Sequence, residues 1–130
     1  MSPIPKYNFL HRLYLALTGI FYAIYHERHL KFHLIFGSIL FIPMIWIDVP
    51  PMHIVLLIIM IGLLICVELI NTVIELVVDM ITKEYDQSAK LAKDISSGAV
   101  LVVAILTLIL GMFIYWPSMY NSYRSFIIGN

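Results

Sequence analysis

Residues 66–79 read Cys66-Val67-Glu68-Leu69-Ile70-Asn71-Thr72-Val73-Ile74-Glu75-Leu76-Val77-Val78-Asp79. They continue an unbroken apolar run, Ile54 to Val67, and set three carboxylates and an amide upon it. On a helix advancing about 100° per residue, Glu68, Asn71, Glu75 and Asp79 fall within roughly 80° of one another. Leucine, valine and isoleucine cover the other faces. A carboxylate inside a membrane segment costs about 2.5–3.5 kcal/mol on insertion scales and so calls for a functional reason. Three on one stripe make that reason the organising feature of the chain.

Working outward, the composition sets the class. Hydrophobic residues make up 62% of the 130 positions, and mean hydropathy is +0.95. That is more than a soluble domain of this length can bury, and it indicates a single all-α integral membrane domain. The formal net charge is zero, so there is no electrostatic case for nucleic acid as a partner. The lone cysteine, Cys66, excludes an intrachain disulfide and reads as a small buried hydrophobic residue. Residues Leu13 to Tyr25 behind Arg12 resemble a signal-peptide core, but they lead into Glu27-Arg28-His29 rather than a small-residue cleavage site.

The chain divides into four expected segments. Met1 to Lys6 carries two prolines and reads as an irregular tail. About 7–29 reads as a surface helix lying in the membrane interface, because Leu13 to Tyr25 would reach only ~20 Å against a ~30 Å hydrocarbon core. About 32–47 is the first spanning helix, with a kink at Pro43. Asp48-Val49-Pro50-Pro51 is a tight turn. About 54–81 is the second spanning helix, and 83–87 a short polar link. About 88–116 is the third, with Ser88 as its cap and Pro117 as its end. Lys6, Arg12, Arg28, Lys31, Lys83, Lys90 and Lys93 lie on the N-terminal arm or near the link, and only Arg124 lies on the other side. The positive-inside rule therefore puts the N-terminus in the cytoplasm and the C-terminus outside, with Trp46 and Trp116 at the outer interface.

Depth assigns the stripe its chemistry. Counting from Ile54 at the outer edge, the run to Val67 covers ~21 Å, which sets Glu68 just beneath the cytoplasmic boundary. Glu75 is ~10 Å further along, at the surface, and Asp79 one turn beyond it. One carboxylate then reaches a lipid headgroup while another faces water-soluble ligands, the geometry for a reaction between a membrane alcohol and a cytoplasmic cosubstrate. A second cluster opens the third spanning helix: Lys90, Lys93-Asp94 and Ser96-Ser97-Gly98. Lysine there can neutralise phosphate, or merely set topology, and the small residues Ala89, Ala92, Ser96 and Ala99 suit helix packing. Glu27, level with Glu75, makes a pair of carboxylates of the kind that Mg²⁺ accepts alongside phosphate oxygens. His26, His29 and His33 share a face, but with no cysteine partner they make a poor transition-metal site.

The motif Glu68-x2-Asn71-Thr72-x2-Glu75-x3-Asp79, followed by Ala92-Lys93-Asp94-x3-Gly98-Ala99-Val100, closely resembles the signature of the small prokaryotic diacylglycerol kinases, which include undecaprenol kinases. Glu27-Arg28-His29-x2-Phe32-His33 is similar to the Glu-Arg-Asn-x-Arg-Ile-His box of the undecaprenol-kinase-like branch, with His29 for asparagine and Lys31 for arginine. The similarity runs over roughly residues 9 to 116. It implies a homotrimer of chains with one surface helix and three spanning helices, transferring the γ-phosphate of ATP, with Mg²⁺, to a lipid hydroxyl in the prokaryotic inner membrane. By that resemblance Glu68 is the general base, Glu27 and Glu75 carry the metal, and Glu84, Tyr85, Lys93 and Asp94 join them at the nucleotide. Asn71 and Ser97 fall near the lipid headgroup, with Asp79 in support.

Two other functions compete on the residues alone. An ion-coupled transporter also uses membrane carboxylates, but the stripe runs off toward the cytoplasm and Lys93-Asp94 would have no task. A structural membrane subunit would tolerate neutralisation of Glu75. The acceptor, diacylglycerol, undecaprenol or another lipid alcohol, is not ranked by the spanning helices, while the Glu27–His33 box leans toward a polyprenol.

Overall fold

The computed structural model describes residues 8–47 and 49–128; the N-terminal tail with Lys6, and Asp48 of the expected turn, lie outside them. Four α-helices follow in order, α1 Phe9–His26, α2 Arg28–Ile39, α3 Pro51–Ile81 and α4 Gln87–Ile128, with one 3₁₀ turn at Ile42–Ile45. Three segments, Arg28–Ile45, Pro51–Ile81 and Gln87–Pro117, are long and apolar enough to cross a membrane. At 1.5 Å per residue the 31 residues of α3 reach ~46 Å, more than the thickness of a ~30 Å hydrocarbon layer.

Each helix starts and stops for a local reason. Asn8 caps α1, its side chain accepting from the His11 backbone N–H at 3.0 Å. The chain breaks at Glu27, whose φ of −90° and ψ of 122° are extended, so the second helix begins at Arg28 rather than near residue 32. Lys31 ties the break together, its Nζ donating to the Tyr25 carbonyl at 2.6 Å and lying 5.5 Å from the Tyr25 ring centroid. Regular α2 closes at Ile39, short of Pro43, and the 3₁₀ turn takes the chain past that proline. Pro51, which has no N–H to satisfy, opens α3 three residues earlier than expected.

The two ends of α4 also differ from expectation. Asp86, not Ser88, is the cap: its carboxylate accepts from the Ala89 backbone N–H at 2.8 Å, and its carbonyl from the Lys90 N–H at 3.0 Å. Pro117 does not end the helix, which runs on to Ile128. A proline inside a long helix forfeits one backbone bond, and the many remaining bonds on either side carry the helix through it.

Packing is dominated by α3 against α4, with α2 on α3 and α1 touching α2 and α3. Pairs such as Asn71–Ser96 and Asp79–Lys93 set α3 and α4 antiparallel. Gly37 allows α2 to approach α3 closely, since a Cβ there would meet Ile61 Cγ2 at 2.9 Å. The core, Val49, Leu57, Ile61, Ile114 and Tyr115, gathers at the end of the bundle near the Val49–Pro50 connection. There the Tyr115 hydroxyl donates to the Leu40 carbonyl. The polar residues collect at the opposite end. Along α1 only Ala23 is buried, and Phe9, Tyr14, Phe21 and Tyr25 stand exposed. Cys66, expected to be buried, is exposed in the single chain.

Candidate active site at the polar end of the bundle

The acidic stripe of α3 turns inward at its first two members and outward at its last. Glu68 is 3% exposed and Asn71 7%, because both lie beneath α4 and α2. Glu75 is half-buried and Asp79 exposed. A relay of side chains joins Asn71 and Glu75 to α4 across the helix pair. Asn71 Nδ2 donates to Glu75 Oε1 at 2.9 Å. Ser96 Oγ donates to Asn71 Oδ1 at 2.6 Å, and Ser97 Oγ lies 3.5 Å from the same oxygen. Thr72 turns its hydroxyl back to the Glu68 carbonyl at 3.1 Å. The amide is thus committed at both ends, holding Glu75 from one side and α4 from the other. Buried polar groups bonded to two elements at once fix rotamers and register.

Glu68 itself is treated differently. Its carboxylate has no hydrogen-bond partner among the described residues, and His29, Glu75 and Glu27 are the titratable groups that act on it electrostatically. It borders a cavity of about 210 Å³ walled by His29, His33, Glu68, Asn71, Glu75 and Ser97, with Val100, Leu101 and Ala104 completing it. A carboxylate without a protein partner, on a residue this buried and opening on a cavity, is placed to take a ligand's donor, and the wall changes from polar to hydrocarbon within this one cavity. That is the profile of a place for an alcohol on an apolar chain.

A second cavity, of about 450 Å³, lies where α3 passes into α4. Val78, Asp79, Thr82, Lys83, Glu84, Tyr85, Asp86, Ala89, Lys90, Lys93 and Asp94 line it. Two ion pairs join four of its charges: Lys93 Nζ to Asp79 Oδ1 at 2.6 Å, and Lys90 Nζ to Asp94 Oδ2 at 2.7 Å. Tyr85 is 83% exposed, a ring free to stack. The residues singled out in the sequence therefore separate into two groups. Glu68, Asn71, Glu75 and Ser97 meet at the first cavity; Asp79, Glu84, Tyr85, Lys93 and Asp94 meet at the second.

Glu27 borders neither cavity; it stands at the break before α2 and makes no side-chain capping bond. Among the described residues no group of three or more His, Cys, Asp or Glu is placed to hold a metal. Mg²⁺ needs no such cage, since it binds through one or two carboxylates and keeps substrate phosphate oxygens and water as its other ligands. Glu75 suits that demand, with Oε1 fixed by Asn71 and Oε2 without a partner among the described residues.

Ser96, read in the sequence as part of the cluster opening the third spanning helix and of its packing face, proves to be the group that fastens Asn71. His29 and His33, set aside as metal ligands, line the wall beside Glu68. Their spacing of four was the available signal, since it puts both on one helical face.

Comparison with known proteins follows the same lines. The family model described as prokaryotic diacylglycerol kinase matches residues 14–115. The undecaprenol kinase of Bacillus subtilis (strain 168) is 33% identical over 104 residues, covering 80% of this chain and 85% of the relative. The diacylglycerol kinase of Escherichia coli (strain K12) is 41% identical over 71 residues, 55% of this chain and 58% of that protein. That of Synechocystis sp. (strain ATCC 27184 / PCC 6803 / Kazusa) is 32% identical over 97 residues, 74% of this chain and 55% of the relative.

Proposed function

This chain belongs to the prokaryotic diacylglycerol kinase family, and from that premise we infer that it phosphorylates a polyprenol of the undecaprenol type at the cavity beside Glu68. It is a lipid kinase with three membrane-capable helices, and the ion-coupled transporter alternative finds no support among its relatives. Two observations favour the polyprenol. The undecaprenol kinase aligns over most of both chains, whereas the Escherichia coli diacylglycerol kinase aligns over little more than half. The hydrocarbon wall of Val100, Leu101 and Ala104 meets the needs of an isoprenoid chain.

The observation that carries the mechanism is the unpartnered carboxylate of Glu68, on a residue 3% exposed, one cavity away from a cluster of charges that includes Lys93. The lipid hydroxyl donates to Glu68 and passes it the proton. The lipid oxygen then bonds to the γ-phosphorus of ATP while the bond from that phosphorus to the β,γ-bridging oxygen breaks. ADP leaves with the electron pair, and Glu68 returns its proton to water. Asn71, held by Ser96, keeps Glu75 in place. Lys93 exchanges Asp79 for phosphate oxygen, which suits a lysine already in a charge-assisted bond. Glu27 and Glu75 would hold Mg²⁺, which when bound offsets phosphate charge. Phosphoryl transfer depends chiefly on positioning and electrostatics, so this small set on packed helices suffices.

The arrangement in the cell follows from the same inference. Glu68 to Asp79 faces the cytoplasmic side of the inner membrane, where ATP is, with the N-terminus inside and the C-terminus outside. Helix α1 lies in the interface, and three chains assemble so that the polar end is shielded from lipid. The test is transfer of label from [γ-³²P]ATP by the purified protein in mixed micelles containing undecaprenol or a 1,2-diacylglycerol. Faster labelling of undecaprenol is expected, and a preference for diacylglycerol would overturn the choice of acceptor.

A further inference from the structure

His33 lies on the wall of the Glu68 cavity and has no task in the chemistry above. It follows His29 by one helical turn on α2, ~6 Å along the axis. His29 is exposed at the mouth and His33 half-buried behind it. His33 Nδ1 is buried without a hydrogen-bond partner. Buried polar atoms in folded proteins are almost always paired, and an imidazole nitrogen can donate or accept. The neighbouring polar groups leave little else to offer. Asn71 is used at both ends, by Glu75 and by Ser96, with Ser97 turned toward the same amide oxygen. A ligand in this space therefore finds a carboxylate, two imidazoles and a hydrocarbon wall.

We propose that His33 selects the acceptor: its imidazole hydrogen-bonds the single hydroxyl of a polyprenol held against Glu68, and the His29–His33 wall turns away the ester-bearing headgroup of diacylglycerol. The proposal rests on the Glu68 cavity being the acceptor site. A polyprenol has one polar atom, which donates to Glu68 and accepts from the ring; everything behind it is hydrocarbon, as are Val100, Leu101 and Ala104. A diacylglycerol brings two ester carbonyls out of water into a cavity of about 210 Å³. Apart from the same imidazoles the wall has only the second Asn71 N–H and the Ser97 hydroxyl to offer them, and a polar group left incompletely met discriminates against the ligand that carries it.

The test compares undecaprenol with a 1,2-diacylglycerol in the same mixed micelles, using full-length protein unaltered or carrying His33→Leu or His33→Asn. The unaltered protein is expected to favour undecaprenol at least tenfold in kcat/KM. His33→Leu is expected to cut that preference at least tenfold through the KM for undecaprenol, leaving the KM for ATP within twofold. His33→Asn keeps an amide N–H at that point of the wall and should restore most of the preference. A leucine variant within twofold of the unaltered preference overturns the proposal. So does a loss shared equally with ATP, or an asparagine variant no better than leucine. A measurement on the unaltered protein covers the case of a variant that does not fold. In ¹⁵N-histidine-labelled protein, undecaprenol should shift the His33 ring-nitrogen signals, and unmoved signals at saturation overturn the proposal. Glu68→Gln assayed in parallel separates the two ideas: full turnover by it would remove the acceptor site itself, whereas an inactive Glu68→Gln beside an unaffected His33→Leu removes only the role of His33.

Discussion

Asn71 does the most structural work of any residue at the site, since it grips Glu75 on its own helix and Ser96 on the next. Ser96→Ala would leave Asn71 Oδ1 without its closest donor, at a cost of about 1–3 kcal/mol. A lower thermal midpoint in detergent, together with reduced turnover, is the expected result. Lys93 belongs to the other cavity, so Lys93→Met should raise the KM for ATP at least tenfold and leave that for lipid within twofold; steady-state kinetics with each substrate varied in turn checks it. The carboxylate stripe is legible in the amino-acid sequence because acidic residues on a greasy helix have few explanations. The role of Ser96 is not, because a small residue on a helix face looks the same whether it packs or bonds. Glu27 shows the converse limit: it stands at a helix break and borders neither cavity, so its proposed place at the metal rests on the motif alone.

Among the elements, the contact of α2 with α3 decides whether the histidine wall faces Glu68 at all. It depends on Gly37, where an added Cβ would press on Ile61 Cγ2 at 2.9 Å, a branch close to the backbone that cannot swing aside. Gly37→Val should therefore cost about 1–3 kcal/mol by overpacking and lower turnover by moving α2. Gly62→Ala, where an added Cβ meets nothing within 4 Å, should leave both intact; thermal unfolding followed by lipid phosphorylation distinguishes the pair. The number of spanning helices and the order of their polar and apolar stretches follow from hydropathy, because length and charge fix a spanning segment. The ends do not. Pro51 opens a helix where the sequence suggests a turn, and Pro117 sits within one where it suggests an end, because the effect of a proline depends on whether its missing N–H falls in a first turn or in the middle of a ladder.

At the scale of the whole molecule, much of the apolar surface of α3 and α4 is exposed, including Ile58, Ile59, Leu63, Leu101, Val102 and Ile109. Lipid or further copies of the chain must cover it. The proposed trimer predicts a protein mass of three 15.0 kDa chains by light scattering in detergent, and a single-chain mass would refute it. The account as a whole stands on one carboxylate, and transfer of label from [γ-³²P]ATP to undecaprenol by Glu68→Gln in mixed micelles tests it most directly. Glutamine keeps the shape of the site and cannot take a proton, so a loss of at least a hundredfold in kcat is expected, with the KM for ATP close to that of the unaltered protein. Turnover within a few-fold of the unaltered protein would contradict it.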